Sequence, residues 1–179
     1  MRIVAGKFRS RILKAPEGDN TRPSSDKTRE SIFNIIAPYV YDANVLDIFA
    51  GSGALGIEAI SRNAKKATFI DKDLNAINII KENINNLKIE EQCEVINADY
   101  TYINSLKGNK YDIILLDPPY KLAVFEDILT LIENNNLLSD NGVIVYESNE
   151  ANSLKNQIDG YVLKTKKYGI AYVNILFKK

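Results

Sequence analysis

The sequence predicts an α/β fold: a mostly parallel sheet of seven strands, helices on both faces, and an antiparallel hairpin at the end of the sheet. Three observations predict it. Short apolar runs such as Ile113-Ile114-Leu115-Leu116 are continuous rather than alternating, as in strands buried on both faces. Between residues 45 and 146 such runs alternate with segments of helical spacing, which implies right-handed crossovers between parallel strands. The last two β-rich runs, Tyr161-Val162-Leu163 and Ala171 to Phe177, are joined by a short polar segment containing Gly169, the pattern of a hairpin.

Each element has its own signal. Ile3-Val4 and Arg11-Ile12-Leu13 suit a small N-terminal hairpin with Gly6 near its turn. Ser24 or Ser25 can cap a helix carrying Ile32, Phe33 and Ile36; Asp26 suits its positive end and Pro38 is expected to stop it. Val45 to Phe49 is the first sheet strand, followed by the Gly51-Ser52-Gly53 turn and a helix through Leu55, Ala59 and Ile60. Ala67 to Ile70 is the second strand. Asp73 is placed to cap a helix in which Ile77, Ile80, Ile84 and Leu87 recur at helical spacing. Cys93 to Ile96 and Tyr111 to Leu116 are the third and fourth strands. A helix through Val124, Ile128, Leu131 and Ile132 follows, and after a turn at Asn141-Gly142 comes the fifth strand, Val143 to Tyr146.

Composition narrows the chemistry. With 179 residues, 45% hydrophobic and 26% charged, the chain is ordinary globular material for one domain with a full core, and no apolar run is long enough to span a membrane. Charges interrupt the first residues, so a secretory signal is not expected. Cys93 is the only cysteine, which excludes an internal disulfide and a zinc-type cysteine cluster and fits a cytoplasmic protein. There is no histidine, so Ser-His-Asp and Cys-His catalysis and histidine metal sites are excluded, and no metal is expected. Net charge is zero but unevenly placed: residues 1–16 carry Arg2, Lys7, Arg9, Arg11 and Lys14 with no acid, and Lys164, Lys166, Lys167, Lys178 and Lys179 lie at the other end. Such a basic arm reads either as a nucleic-acid footprint or as a solvated terminus.

Asp117-Pro118-Pro119-Tyr120 ends the fourth strand. The prolines stop the ladder and fix the backbone, which puts a carboxylate, a rigid carbonyl and an aromatic face at the carboxyl end of a central strand, where open α/β sheets bind ligands. That combination suits chemistry on a flat ring bearing an amino group. An exocyclic amine is a poor nucleophile because its lone pair is delocalised. The Asp117 carboxylate and the Pro118 carbonyl can accept its N–H bonds, Pro119 stiffens the turn, and Tyr120 can stack on the ring. Either Asp117 or water can take the proton.

Gly51-Ser52-Gly53-Ala54-Leu55-Gly56 fits a dinucleotide fingerprint literally, and Asp71 lies twenty residues after Gly51. Asp47, four residues before Gly51, argues against a pyrophosphate, because both are anions. It suits a ligand with a free amine or a positive charge, and S-adenosylmethionine carries both. Asp71 can then accept the ribose hydroxyls and Asp99 the adenine amine. The cofactor set is thus Asp47, Ala50, Gly51, Ser52, Gly53, Gly56, Asp71 and Asp99.

In this order, the Asp47-to-Gly53 and Asp117-to-Tyr120 motifs resemble those of the class I S-adenosylmethionine-dependent methyltransferases, whose Rossmann-like fold matches the predicted one. Three N-terminal stretches narrow the resemblance: Met1 to Arg11, Thr21-Arg22-Pro23-Ser24-Ser25-Asp26 and Arg29-Glu30-Ser31-Ile32-Phe33-Asn34. They resemble the bacterial 16S ribosomal RNA guanine-N2 methyltransferase family over the whole chain, with Ser24 where that family has threonine. The resemblance implies transfer of a methyl group to the N2 amine of a guanine in 16S RNA, within the 30S subunit or a late assembly intermediate, by a monomer. It also implies a basic RNA-binding extension over residues 1–23, using Arg2, Lys7, Arg9, Arg11 and Arg22, ahead of a catalytic domain at 24–179. The alternatives are a DNA adenine-N6 methyltransferase, a methyltransferase acting on another amino substrate, a nicotinamide-dependent dehydrogenase, and an RNA-binding assembly factor with a vestigial pocket.

Overall fold

The computed structural model describes residues 1–16, 25–119, 122–149, 154 and 158–179. Its strands are β1 (Asn44–Ile48), β2 (Lys66–Asp71), β3 (Cys93–Asn97), β4 (Tyr111–Leu116), β5 (Leu138–Ser148), β6 (Tyr161–Tyr168) and β7 (Ala171–Lys178). They form one sheet in the order β3-β2-β1-β4-β5-β7-β6. The first five run parallel; β7 lies antiparallel between β5 and β6. This is the predicted mostly parallel seven-stranded sheet with its terminal antiparallel hairpin.

Strand alternation divides the apolar residues between two faces. Val45, Phe69, Leu115 and Val145 face helices α1 (Asp26–Ile35), α2 (Ala37–Val40), α3 (Ala54–Ser61) and α4 (Leu74–Leu87). Leu46, Ile70, Leu116 and Ile144 face helix α5 (Phe125–Asn134) and the 3-10 segment Tyr100–Leu106. The caps follow local chemistry: the Ser25 side chain accepts from the Thr28 N–H, and the Asp73 side chain from the Asn75 N–H. α1 ends at Ile35, as expected of Pro38 two residues past its Ile36 cap. Pro38 itself stands in the first turn of α2, where its missing N–H costs nothing.

β5 is longer than its apolar run. Tyr111 pairs with Leu138 and Ile113 with Val143, so two steps along β4 match five along β5. Asn141-Gly142, which reads as a turn in the sequence, lies inside that bulge.

Residues 1–14 form the expected N-terminal hairpin, closed by an Arg2–Ile12 bridge and by Ile3 N–H to Arg11 O at 2.9 Å. It is fastened to α3 and α4. Glu58 on α3, fully buried, accepts the Val4 and Ala5 N–H groups at 2.8 and 3.0 Å and is neutralised by Arg62 at 2.8 Å. Ser61 donates to the Ala5 carbonyl. Asn83 on α4 accepts the Lys14 N–H at 2.8 Å and donates to the Lys14 and Ser52 carbonyls. Ile3 and Leu13 enter the same core as α1 to α4.

Gly6 has φ +83°, and a Cβ there would lie 1.9 Å from the Ser61 carbonyl oxygen, a backbone atom that cannot swing away. Gly6→Ala is therefore expected to cost about 3 kcal/mol, a fall of about 10 °C in Tm for a chain of this size. Calorimetry of the variant checks it; an unchanged Tm would mean that the hairpin undocks freely.

Candidate active site

The carboxyl edge of the sheet gathers the acids. Ile48 pairs with both Ile70 and Leu116, and Ile70 with Ile96. One residue further along these strands stand Phe49, Asp71, Asn97 and Asp117. Asp71 and Asp117 therefore flank the end of β1 at one level, two strands or about 10 Å apart.

Asp47 lies below that level on the α3 face and is only 1% exposed. Its Oδ2 accepts the Gly56 N–H at 2.9 Å, while its Oδ1 is buried with no hydrogen-bond partner among the described residues. Burial, with a smaller push from the charge of Asp71, raises its carboxyl to about 7 against the pull of the Gly56 N–H. A buried oxygen left unsatisfied costs free energy, so this one marks a site that a donor completes. Gly56 is required by space: a Cβ would fall 2.4 Å from the Phe69 ring and 3.2 Å from the Asp47 Oδ2.

The glycine turn is held from β2. Asp71 Oδ2 accepts the Gly51 N–H at 2.8 Å and its Oδ1 the Asp73 N–H at 2.9 Å, so one carboxylate fixes two turns. Each oxygen keeps a second lone pair for a ligand hydroxyl. Ala50 donates to the Ile70 carbonyl and accepts the Gly53 N–H. Gly51 and Gly53 both have positive φ, and Gly53 caps α3. Ser52 is buried, with its carbonyl taken by Asn83. Asp99 is exposed and caps the 3-10 segment through the Thr101 N–H at 3.1 Å.

At the other side of the edge, Asp117 is half-buried, Pro118 buried and Pro119 exposed, with the Pro119 carbonyl accepting the Leu122 N–H. Tyr120 lies outside the described residues.

The site also contains residues that the sequence reading missed. Phe49 has φ +64°, a left-handed backbone that costs a non-glycine residue about 1–2 kcal/mol. Alternation would send its ring to the side of Asp47. The left-handed turn sends it to the α5 side instead, 6.0 Å from the Tyr100 ring. Asn97 donates to the Asp71 and Lys72 carbonyls at 3.0 Å and so holds the turn that carries Asp71. Neither residue bears charge, and no spacing rule marks them. Asn83 is equally unmarked, but the apolar run of α3 did carry a signal: a helix apolar on every side must be covered on its outer face as well.

The basic candidates are more dispersed. Arg2, Lys7, Arg9 and Arg11 are all exposed. Arg2 pairs with Asp26 at 2.9 Å. Lys7 donates to Gln92, which precedes β3, so it sits at the amino edge of the sheet, away from the acids. Arg22 lies outside the described residues. Among the described residues, no cluster of acids and cysteine could hold a metal ion, and no helix is long and apolar enough to cross a membrane.

Sheet order, glycine turn and the acids at the carboxyl ends of four successive strands define the class I methyltransferase fold, whose cofactor is S-adenosylmethionine. The residues present fit that group: Asp47 Oδ1 is an acceptor awaiting an amine or cation, Asp71 and Asp99 are further acceptors, and an acidic edge disfavours a pyrophosphate. The chain belongs to the family described as conserved hypothetical protein 95, whose model matches residues 1–177. It is 38% identical over 173 residues to the ribosomal RNA small subunit methyltransferase D of Haemophilus influenzae, covering 95% of this chain and 90% of that one. To the Escherichia coli protein of the same name it is 38% identical over 154 residues, covering 86% and 77%. The solved structure of Escherichia coli yhhF superposes with a TM-score of 0.89 at 35% identity, covering 100% of this chain and 98% of that one. The family resemblance read from the N-terminal motifs is borne out.

Proposed function

We propose that this chain transfers a methyl group from S-adenosylmethionine to the exocyclic N2 amine of a guanine in 16S ribosomal RNA, within the 30S subunit or a late assembly intermediate. The observation that carries the reading is the level shared by Asp117 and Asp71 on either side of β1, in a chain 38% identical to relatives named for small-subunit RNA methylation. When bound, the cofactor supplies an electrophilic methyl group on a sulfonium.

The remaining work falls to this chain's own residues. Asp47, Ala50, Gly51, Ser52, Gly53, Gly56, Asp71 and Asp99 hold the cofactor. Asp117 and the Pro118 carbonyl accept the N–H bonds of the guanine amine and turn its lone pair out of the ring plane. The negative charge of Asp117 also favours the positive charge that develops on nitrogen. The two prolines hold these acceptors at low entropic cost, and Tyr120 stacks on the base. Residues 1–23 act as the RNA-binding extension and 24–179 as the catalytic domain, working as a monomer in the cytoplasm without a metal. Phosphate contacts from Arg2, Lys7, Arg9, Arg11 and Arg22 supply affinity and leave selectivity to the shape of the RNA or particle.

The test is transfer from methyl-labelled S-adenosylmethionine to 30S particles, naked 16S RNA and DNA from cells lacking the enzyme, followed by nucleoside identification. N2-methylguanosine in RNA is expected. Label in N6-methyladenine of DNA would overturn the substrate while leaving the amine chemistry standing.

A further inference from the structure

We propose that the free edge of β6 is a second RNA contact, in which Lys166 and Lys167, with Lys164 behind them, bind backbone phosphates of the RNA whose base reaches Asp117. This rests on the RNA substrate proposed above.

Register carries the placement. Leu116 pairs with Tyr146, so Asp117 is level with Glu147; Glu147 pairs with Val173, and Val173 with Lys166. Lys166 therefore stands at the level of Asp117, three strands away, about 14 Å. Because β7 is antiparallel to both β5 and β6, β6 runs parallel to β4, and its carboxyl end points out of the same edge. Tyr168 and Ala171 close that end with the two-residue turn Gly169-Ile170, where Gly169 has φ +61°.

Charge carries the partner. Lys164, Lys166 and Lys167 are exposed and have no ion pair among the described residues, whereas Arg2, Lys14 and Lys178 are each paired with a carboxylate. Residues 160–179 contain no acid at all. Lys164 and Lys166 share a face with Tyr168, which packs towards the α1 side and hence the side of the N-terminal hairpin. Lys167 is on the other face, 5.4 Å over the Tyr172 ring. The three ammonium groups thus straddle the edge.

Lysines on an edge strand also discourage strand addition, but that role does not require them to gather at the end of β6 level with Asp117. A single sign beside the reacting edge is what a polyanion needs. The need is real, because Asp71, Asp99 and Asp117 repel phosphates over the middle of that edge, and Lys7 of the hairpin lies at the opposite one. A strand of RNA held along β6 would have a base within about 14 Å, or some three strands, of Asp117.

The test compares K166Q/K167Q with K107Q/K110Q, an equal loss of exposed charge just before β4 at the amino edge. Binding of a 16S RNA transcript is measured against salt, and S-adenosylhomocysteine affinity serves as the check on folding. K166Q/K167Q is expected to bind RNA about tenfold more weakly, with a salt slope shallower by about 1.4–1.8, while cofactor affinity and the K107Q/K110Q protein stay unchanged. RNA binding unaltered in K166Q/K167Q, or weakened equally in both pairs, would overturn the contact while wild-type methylation of RNA still upheld the substrate. A wild-type protein that neither binds nor methylates RNA would overturn both.

Discussion

Replacing Asp117 with alanine is expected to lower kcat by about a hundred- to a thousand-fold, or about 3–4 kcal/mol of transition-state stabilisation. Affinity for S-adenosylhomocysteine should stay within about threefold. Both halves follow from position. Asp117 stands at the end of β4, across β1 from Asp71, whereas the glycine turn is held by Asp71, Ile70 and Asn83 without it. Asp117→Asn separates two roles of the side chain: it keeps an oxygen to accept an N–H but removes the charge. A loss as severe as that in alanine would mean the charge matters most; a mild loss would mean the acceptor does. If Asp117→Ala kept more than about a tenth of wild-type kcat, the carboxylate would have no place in the chemistry. Single-turnover transfer to unmodified 30S particles, with cofactor binding measured by calorimetry, reads both.

The second large effect is on pH. Burial raises the Asp47 carboxyl to about 7, against about 3.9 in an unfolded chain. Between about pH 4 and pH 7 the ligand-free fold therefore holds a proton that the unfolded chain has released. For this group, stability falls as pH rises through that window and is level above it. Ligand binding has the opposite sign. An amine or sulfonium is held by the ionised carboxylate, so cofactor affinity is expected to rise with pH up to about 7 and to drop about tenfold per unit below it, some hundredfold by pH 5. The cofactor's amine stays protonated throughout that range, so the slope reports Asp47. Calorimetric titration with S-adenosylmethionine from pH 5 to pH 8 measures it, and Asp47→Asn should flatten the profile. A flat wild-type profile would sink the role given to the buried, unsatisfied Oδ1.

The fold was readable in the sequence because doubly buried strands leave continuous apolar runs, and because the glycine turn and the prolines after β4 punctuate them. The acids of the site were readable for the same reason: each stands at or just past the carboxyl end of a strand. What escaped was of two kinds. Phe49, Asn97 and Asn83 act through backbone conformation or neutral amides, and neither leaves a trace in charge or periodicity. The second kind depends on long-range pairing. Asn141-Gly142 has the chemistry of a turn, and only the return of Leu138 to Tyr111 makes it a bulge. The sequence places Asp47 at a strand end facing a ligand. That it is buried, with one oxygen already committed to Gly56, follows from the packing of α3 on β1.

The order of strands in the sheet is not the order in which they are made. β6 has β7 as its partner, and β5, made before either, also pairs with β7. On the ribosome β6 therefore emerges with nothing to join, and β5 keeps an open edge of Val143, Ile144 and Val145 until β7 arrives and bridges the two. During that interval an apolar strand edge is exposed to other nascent chains, the condition under which sheets recruit one another. The lysines of β6 act then as gatekeepers, keeping the waiting strand solvated and unattractive to strangers. A chain interrupted before Ala171 would hold that vulnerable state permanently, and would precipitate rather than settle into a smaller sheet.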